Sequence, residues 1–215
     1  MEGDRERVPG YVIAIAGTAG SGKTTLVRAV TTLLGEATAL YFDDYESTST
    51  YPPDWGAWLR AGADPDVVRT PQLAADLRAL RHGTAVTTSD GRRSCEPAAY
   101  VVLDEPFGRA RAELRDLVDF VACIEVPLEV ALARRLLRAV EEVQDDACLR
   151  EEVRLTARTY LTREDRALYL AATALAEADC ELILDGMASP EQLARHVVQA
   201  VRARRARATQ QASGG

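Results

Sequence analysis

The sequence predicts an α/β fold of three layers, in which helices cover both faces of a sheet of about five parallel strands. Segments typical of strands and segments typical of helices alternate along the chain, as expected when each strand is followed by a crossover helix. The strand-like segments are short apolar runs that are expected to be buried. The chain has 215 residues, 47% of them apolar, which is enough to bury the core of one domain.

The elements follow from local patterns. Predicted strands cover 11–16, 38–42, "AYVVLDE", "DFVACIEV" and 181–186. Predicted helices cover 24–34, 71–81, 127–142 and 146–178, and a last helix begins at 189–191. Pro71 suits a first helical turn, and Ser189 with Glu191 supplies capping chemistry. "TAVTTSDGRRSC" predicts a small hairpin around Asp90 and Gly91.

One domain is predicted over 1–206, with a disordered tail at 207–215. Within it, 130–178 is dense in charge, and "RRLLRAVEEVQDDACLREEVRLTARTYLTRED" offers few long apolar faces. Such a segment is hard to place entirely in a core. We therefore expect part of it to form a helical lid.

Composition argues against several classes of function. The net charge of −7 disfavours nucleic acid as a partner. No apolar run reaches the roughly 18 residues of a membrane span, and Met1–Pro9 lacks the apolar stretch of a signal peptide. Four scattered cysteines predict reduced thiols, and two separated histidines make a zinc site improbable. We expect a cytoplasmic protein without a membrane partner, and assembly into homo-oligomers is left open.

A glycine-rich loop follows the first strand and fits the pattern G-x-x-x-x-G-K-[ST]. Glycines allow successive N–H groups to point at phosphate oxygens, and the helix that follows adds its dipole. Lys23 is expected to reach the β- and γ-phosphates, and the Thr24 hydroxyl to ligate Mg²⁺. The predicted nucleotide-binding residues are Gly17, Thr18, Ala19, Gly20, Ser21, Gly22, Lys23, Thr24 and Thr25.

Acidic residues end two further strands. Asp104, after "VVL", matches the strand-end carboxylate that supports Mg²⁺ in P-loop proteins, although an acid at a strand end is also common without such a role. Asp43 and Asp44 follow the second strand, where adjacent side chains point to opposite sides. We choose Asp43 as the base that accepts the proton of an acceptor hydroxyl, with Asp44 as the alternative.

Three features in order resemble the uridine kinase family of P-loop kinases: "GTAGSGKTT", the Asp-Asp-aromatic stretch and "IEVPLEVALARRLLR". The resemblance implies that Asp43 is the base toward a sugar hydroxyl and that Asp104 assists Mg²⁺ and the acceptor. It also implies that lid arginines neutralise the transferring phosphoryl group. Among these, Arg135 and Arg138 join Lys23 as predicted catalytic residues, whereas Arg134 fits a solvated basic face equally well.

The acceptor region departs from the family. Uridine kinases usually carry an Asp-His-Pro stretch there, and this chain has "YPPDWGAWLRAGADPDVVRT". Trp55 and Trp58 suit either stacking on a planar acceptor or packing of the loop. The candidate substrate contacts are Asp44, Tyr45, Trp55 and Arg109. Uridine itself is therefore left open.

The resulting hypothesis is an ATP- and Mg²⁺-dependent kinase that phosphorylates a hydroxyl of a small nucleoside-like acceptor. One alternative is a nucleoside monophosphate kinase, with the acceptor phosphate held by Arg92, Arg93, Arg109 and Arg111. A kinase that modifies an antibiotic or another metabolite fits the same fold. A nucleotide-gated binding protein is the alternative outside enzymes, and Asp43 argues against it because a switch needs no acceptor base.

Overall fold

A sheet of five parallel strands forms the centre of the computed structural model, which describes residues 10–161 and 163–213. The strands are β1 (Tyr11–Gly17), β2 (Ala37–Tyr41), β5 (Tyr100–Asp104), β6 (Phe120–Glu125) and β7 (Leu182–Asp185). Their order across the sheet is β2-β5-β1-β6-β7. The short strands β3 (Val86–Thr87) and β4 (Ser94–Cys95) pair antiparallel and form the predicted hairpin.

Helices cover both faces of the sheet. They are α1 (Lys23–Leu34), α2 (Trp55–Arg60), α3 (Pro71–Arg81), α4 (Ala112–Arg115), α5 (Leu128–Glu142), α6 (Asp146–Leu161), α7 (Arg163–Glu177) and α8 (Pro190–Ser213). Side chains alternate along β1: Ile13 and Ile15 pack with α1 and α8, whereas Val12 and Ala14 pack with α3 and Ala176 of α7. Both faces of β1 are therefore buried, which explains its continuous apolar run. The predicted three-layer α/β/α fold is confirmed.

Two details differ from the sequence prediction. The loop between β2 and α3 contains α2 and two short 3₁₀ segments, Phe42–Thr48 and Pro65–Val67. Helix α8 continues to Ser213, so residues 207–213 are helical where a disordered tail was predicted. The physical reason is composition, because arginine, alanine and glutamine in this stretch are strong helix formers. Residues 1–9, 214 and 215 lie outside the described part of the chain.

The register of the sheet brings three chain segments together. Asp104, the last residue of β5, pairs with Ile15 of β1 on one side and with Tyr41 of β2 on the other. Because parallel strands end at one edge, the loop after β1, the residues after β2 and the end of β5 meet there. No described helix combines the length and apolar composition needed to cross a bilayer.

Candidate functional site

The loop between β1 and α1 forms a cradle of backbone N–H groups. Gly20 and Gly22 adopt φ of 85° and 103°, in the left-handed region that favours glycine. A Cβ on Gly20 would also overlap the carbonyl oxygen of Ala131 on α5. Gly22 precedes α1 and provides no side-chain cap, so the N–H groups of the first helical turn stay available to an anion.

Two buried hydroxyls in this loop have different surroundings. Thr18 and Ser21 are 6% and 3% exposed, and their Oγ atoms have no hydrogen-bond partner among the described residues. Buried hydroxyls are normally hydrogen-bonded, and an exception calls for an explanation. Thr18 lines the cleft, where a phosphate oxygen would accept from its hydroxyl, whereas Ser21 is not among the lining residues and its Oγ lies beside Gly17.

Lys23, Thr24 and Asp104 form one polar cluster. The Thr24 hydroxyl donates to Asp104 Oδ2 at 2.8 Å, and Lys23 Nζ lies 3.9 Å from Asp104 Oδ1. Burial raises the pKa of the Asp104 carboxyl, and the nearby Lys23 ammonium opposes that change. A hydroxyl and a carboxylate are hard oxygen ligands, which suit Mg²⁺ completed by phosphates and water. The described residues contain no group of three or more His, Cys, Asp or Glu side chains that could hold a metal ion.

The neighbouring carboxylates after β2 have different surroundings. Asp43 lines the cleft beside the phosphate loop. Asp44 instead pairs with Arg93, whose Nε lies 2.7 Å from Asp44 Oδ2, and its backbone carbonyl accepts from Ser89. The pKa of Asp44 is raised by burial, partly offset by Arg93. Asp43 therefore lines the cleft. Asp44, which was predicted to contact the substrate, is instead bound to Arg93 and Ser89 of the hairpin region and does not line the cleft.

The cleft has a volume of about 450 Å³ and two chemically distinct halves. We call the first the phosphate half: Gly17, Thr18, Ala19, Gly20, Gly22, Lys23, Thr24, Thr25, Asp104, Arg134 and Arg138. We call the second the aromatic half: Phe42, Tyr51, Trp55, Pro106, Phe107, Leu168, Tyr169 and Ala172. Asp43 also lines the cleft, so a carboxylate, the phosphate loop and an apolar surface meet in one cavity.

Three rings of the aromatic half, those of Phe42, Tyr51 and Trp55, contact one another in sequence. The Phe42 and Tyr51 centroids are 6.4 Å apart, and those of Tyr51 and Trp55 are 6.1 Å apart. Trp58 packs edge-on against Trp55 at 5.4 Å, but it is 5% exposed and donates from Nε1 to the Asp64 carbonyl. Of the two tryptophans, Trp55 therefore faces the cleft and Trp58 packs the loop onto the body.

The three arginines of α5 contact different parts of the molecule. Arg134 donates to the backbone carbonyls of Ser21 and Gly186, at 3.3 and 2.9 Å, and lines the cleft. Arg135 donates to the Tyr169 hydroxyl at 2.8 Å, and Arg138 lines the cleft with an exposed side chain. Arg134, which the sequence assigned equally to a solvated face, thus lies against the phosphate loop.

Two predicted substrate contacts lie elsewhere. Tyr45 is fully buried, and its hydroxyl donates to Asp76 at 2.8 Å, so it belongs to the core. Arg109 pairs with Glu181 and with Asp179, which hold its guanidinium against the segment before β7. In both cases, partners that are distant in sequence satisfy these polar groups away from the cleft.

A buried ion-pair network was not identified from the sequence as a unit. Arg111 is 1% exposed, and its guanidinium contacts Glu105 at 2.6 Å and Glu113 at 2.8 Å. It lies 5.5 Å from the Phe42 ring and 5.9 Å from the Phe107 ring. The Asp-Glu pair at the end of β5 was a visible signal, but the partner of Glu105 was not. The network therefore lies beside two rings of the aromatic half.

The two relatives described next are both named uridine kinase. No family model matches the chain. A uridine kinase of Deinococcus deserti is 31% identical over 145 residues, which are 61% of this chain and 70% of that protein. A uridine kinase of Macrococcus caseolyticus is 27% identical over 143 residues, 61% of this chain and 69% of that protein.

A solved structure from Silicibacter sp. TM1040, named as a candidate fructose transport system kinase, has a similar fold. Its TM-score is 0.51 at 18% identity, covering 84% of this chain and 92% of that chain. At this identity the likeness concerns the fold alone.

Proposed function

Because the chain belongs to the uridine kinase family and is a phosphotransferase acting on a hydroxyl group, we propose that it transfers the γ-phosphoryl group of ATP, with Mg²⁺, to a nucleoside-like acceptor. The observation that carries this proposal is the meeting of the phosphate loop, Asp43 and an aromatic surface in one cleft. Phosphoryl transfer needs mainly positioning and charge stabilisation, together with a group that receives the acceptor proton. The cleft has residues suited to each task.

On the donor side, the loop N–H groups and the Thr18 hydroxyl would hold the phosphates, with Lys23 toward the β- and γ-phosphates. Thr24 and Asp104 would hold Mg²⁺, which when bound neutralises phosphate oxygens. The Arg138 guanidinium would add charge stabilisation as the phosphoryl group transfers. Arg134, fixed on Ser21 and Gly186, would keep α5 against the loop.

On the acceptor side, Asp43 would accept the proton of the attacking hydroxyl. The acceptor body would lie against the aromatic half, which excludes water from the reacting groups. Nucleoside-like acceptors combine a sugar hydroxyl with a planar base, and this combination matches a carboxylate beside aromatic rings.

The cytoplasmic location of the protein and its possible assembly into homo-oligomers remain predictions from the sequence.

The monophosphate kinase alternative is disfavoured by where its four arginines lie. Arg93 pairs with Asp44, Arg92 with Asp90, Arg109 with Glu181 and Arg111 with Glu105. None of the four lines the described cleft. An acceptor phosphate would therefore lack the cations that the alternative requires.

The test is a screen for ADP release from ATP and Mg²⁺ over nucleosides, nucleoside monophosphates and sugars, with mass spectrometry of the products. We expect a monophosphorylated nucleoside-like product from the wild-type protein and none from Lys23→Ala. Saturating ligand should also raise stability, by about 2.7 kcal/mol at 100 times its dissociation constant. Release of ADP with phosphate alone as product, for every acceptor tried, would overturn the proposed transfer.

A further inference from the structure

We propose that Tyr169 is a positioning residue for phosphoryl transfer, because its hydroxyl holds the Arg135 guanidinium beside the phosphate loop. From there the guanidinium stabilises the charge of the transferring group. This role rests on the proposed function and deepens it, since it concerns the same site. The Tyr169 hydroxyl acts through Arg135, and no contact of its own with the reacting atoms is needed.

Tyr169 lies on a part of α7 that is packed onto the body of the protein. It lines the cleft together with Leu168 and Ala172. Leu168 and Ala172 also pack in the apolar cluster that contains Trp58 and Phe107. A side chain carried by a packed helix is held more precisely than one on a loop. The Tyr169 hydroxyl is therefore presented to its partner from a fixed support.

Arg135 connects this support to the phosphate loop. Its Nη1 donates to the Tyr169 hydroxyl at 2.8 Å, and its Cζ lies 5.6 Å from the centroid of the Tyr169 ring. Its stem lies against Gly20, where an added Cβ would be 2.9 Å from Arg135 Cγ. Gly20 and Tyr169 both line the cleft. The guanidinium is thus held next to the cleft, between the phosphate loop and α7.

The charge of Arg135 is not neutralised by a carboxylate within the described part of the chain. Tyr169 is its one hydrogen-bond partner there, and no described acidic side chain forms an ion pair with it. A hydroxyl orients a guanidinium without cancelling its charge. Because a guanidinium carries several N–H donors in one plane, those not used by Tyr169 stay available to phosphate oxygens.

Removal of the hydroxyl alone isolates this contact. Tyr169→Phe keeps the ring, and with it the cation–π contact with Arg135. A hydrogen bond to a charged group corresponds to roughly 10–100-fold in a rate or equilibrium constant. We expect kcat to fall by about that factor, because the charge is stabilised mainly in the transition state. The affinity for a non-hydrolysable ATP analogue should change by less than about threefold.

Tyr160→Phe on α6 is the matched control, since Tyr160 does not line the described cleft, and it should leave kcat and ATP affinity unchanged. Coupled ADP-release assays measure kcat, and calorimetry measures the affinity. An unchanged kcat in Tyr169→Phe would overturn the role of the hydroxyl. A raised kcat would overturn it as well, because the hydroxyl would then be withholding Arg135 from the phosphates.

A double-mutant cycle distinguishes positioning from a general structural effect. Arg135→Met removes the guanidinium, and the double variant removes the hydroxyl as well. If Tyr169 acts through Arg135, the double variant should be slower than Arg135→Met by no more than about twofold. Effects on kcat that multiply would show that Tyr169 acts by another route, and would overturn the assignment.

Binding separates this role from the proposed function. The four proteins of the cycle are titrated calorimetrically with ADP, Mg²⁺ and aluminium fluoride, a mimic of the transferring phosphoryl group that needs no acceptor. We expect Tyr169→Phe to bind this complex roughly 10–100-fold more weakly than the wild type, and the double variant to bind no more weakly than Arg135→Met. A wild type that phosphorylates no acceptor would defeat the proposed function, whereas the binding cycle still decides the role of Tyr169. Equal affinities of wild type and Tyr169→Phe, or no binding to the wild type, would overturn that role.

Discussion

The phosphate half and the aromatic half of the cleft are built in different ways. Most of the phosphate half comes from one continuous segment, residues 17–25, and in the proposed function its backbone N–H groups are the main phosphate ligands. The aromatic half gathers side chains from the residues after β2, from α2, from the residues after β5 and from α7. In the proposed function, nucleotide binding therefore depends on local backbone shape, whereas acceptor binding depends on side chains that tertiary packing brings together.

The largest effect is expected in the phosphate half. Lys23→Ala should abolish measurable turnover and sharply weaken nucleotide binding, because it removes the charge that faces the β- and γ-phosphates. Coupled ADP assays and calorimetry measure the two effects. Arg28→Ala, at an exposed position on the same helix, is the matched control and should keep both. Activity near wild type in Lys23→Ala would refute the assignment of the loop.

The boundary between the halves gives the second prediction. Asp43→Asn should keep ATP binding and lower kcat by roughly 10²–10⁴-fold, the usual contribution of a general base. Asp44→Asn is the control, since Asp44 is held by Arg93 outside the cleft and should change kcat by less than tenfold. The reverse pattern, with the large defect in Asp44→Asn, would show that the wrong neighbour was chosen.

The difference between the two halves also explains which parts of the cleft could be predicted from the sequence. The phosphate loop and the strands are local features: glycine spacing and apolar runs encode them without knowledge of distant contacts. Asp104 could be placed because it ends a strand, and parallel strands end at a common edge.

The residues of the aromatic half could not be predicted from the sequence in the same way. Phe42 and Phe107 contact Arg111 from separate segments, and no periodic pattern connects them. The hydroxyl of Tyr45, a predicted substrate contact, is instead hydrogen-bonded to Asp76, 31 positions further along the chain. Polar groups of this kind are satisfied by tertiary neighbours, which a motif does not contain.

The arginines of α5 illustrate an intermediate case. Helical spacing in the sequence identified the three arginines as neighbours on α5. Which of them faces the phosphate loop depends on the rotation of α5 about its axis. In the structure, α5 approaches the loop closely where Gly20 lies against the Ala131 backbone. Arg134 and Arg138, which follow Ala131 at helical spacing, then line the cleft.

The helical lid predicted from the sequence within 130–178 gives the third prediction, with a smaller effect. Arg138→Ala should lower kcat by roughly 10–100-fold and change ATP affinity by much less, because its contact is expected mainly in the closed state. Hydrogen exchange in α5 and α6 should slow when a non-hydrolysable ATP analogue and an acceptor are added together. Arg150→Ala, on the exposed surface of α6, is the control. Unchanged exchange, with a variant that loses affinity alone, would identify these helices as fixed scaffold.

The smallest expected effect concerns the Asp104 carboxyl and pH. Its pKa in the folded protein is raised above 3.8 by burial, against the opposing effects of Lys23 and Thr24. Between that ordinary value and the raised one, the folded protein binds more protons at this site than the unfolded chain does. The contribution of Asp104 to the free energy of unfolding therefore falls as pH rises through this window, by about 1.4 kcal/mol for each unit of pKa difference.

Asp104→Asn should remove this part of the pH dependence, and Glu141→Gln, at an exposed position, should not. Urea unfolding without nucleotide or Mg²⁺, at a series of pH values across the window, measures it. Binding of Mg²⁺ with ATP should show the opposite trend and strengthen as pH rises, because the metal requires the ionised carboxylate. A wild-type pH dependence identical to that of Asp104→Asn would mean that Asp104 titrates normally, and that the low-dielectric surroundings inferred for this part of the phosphate half are absent.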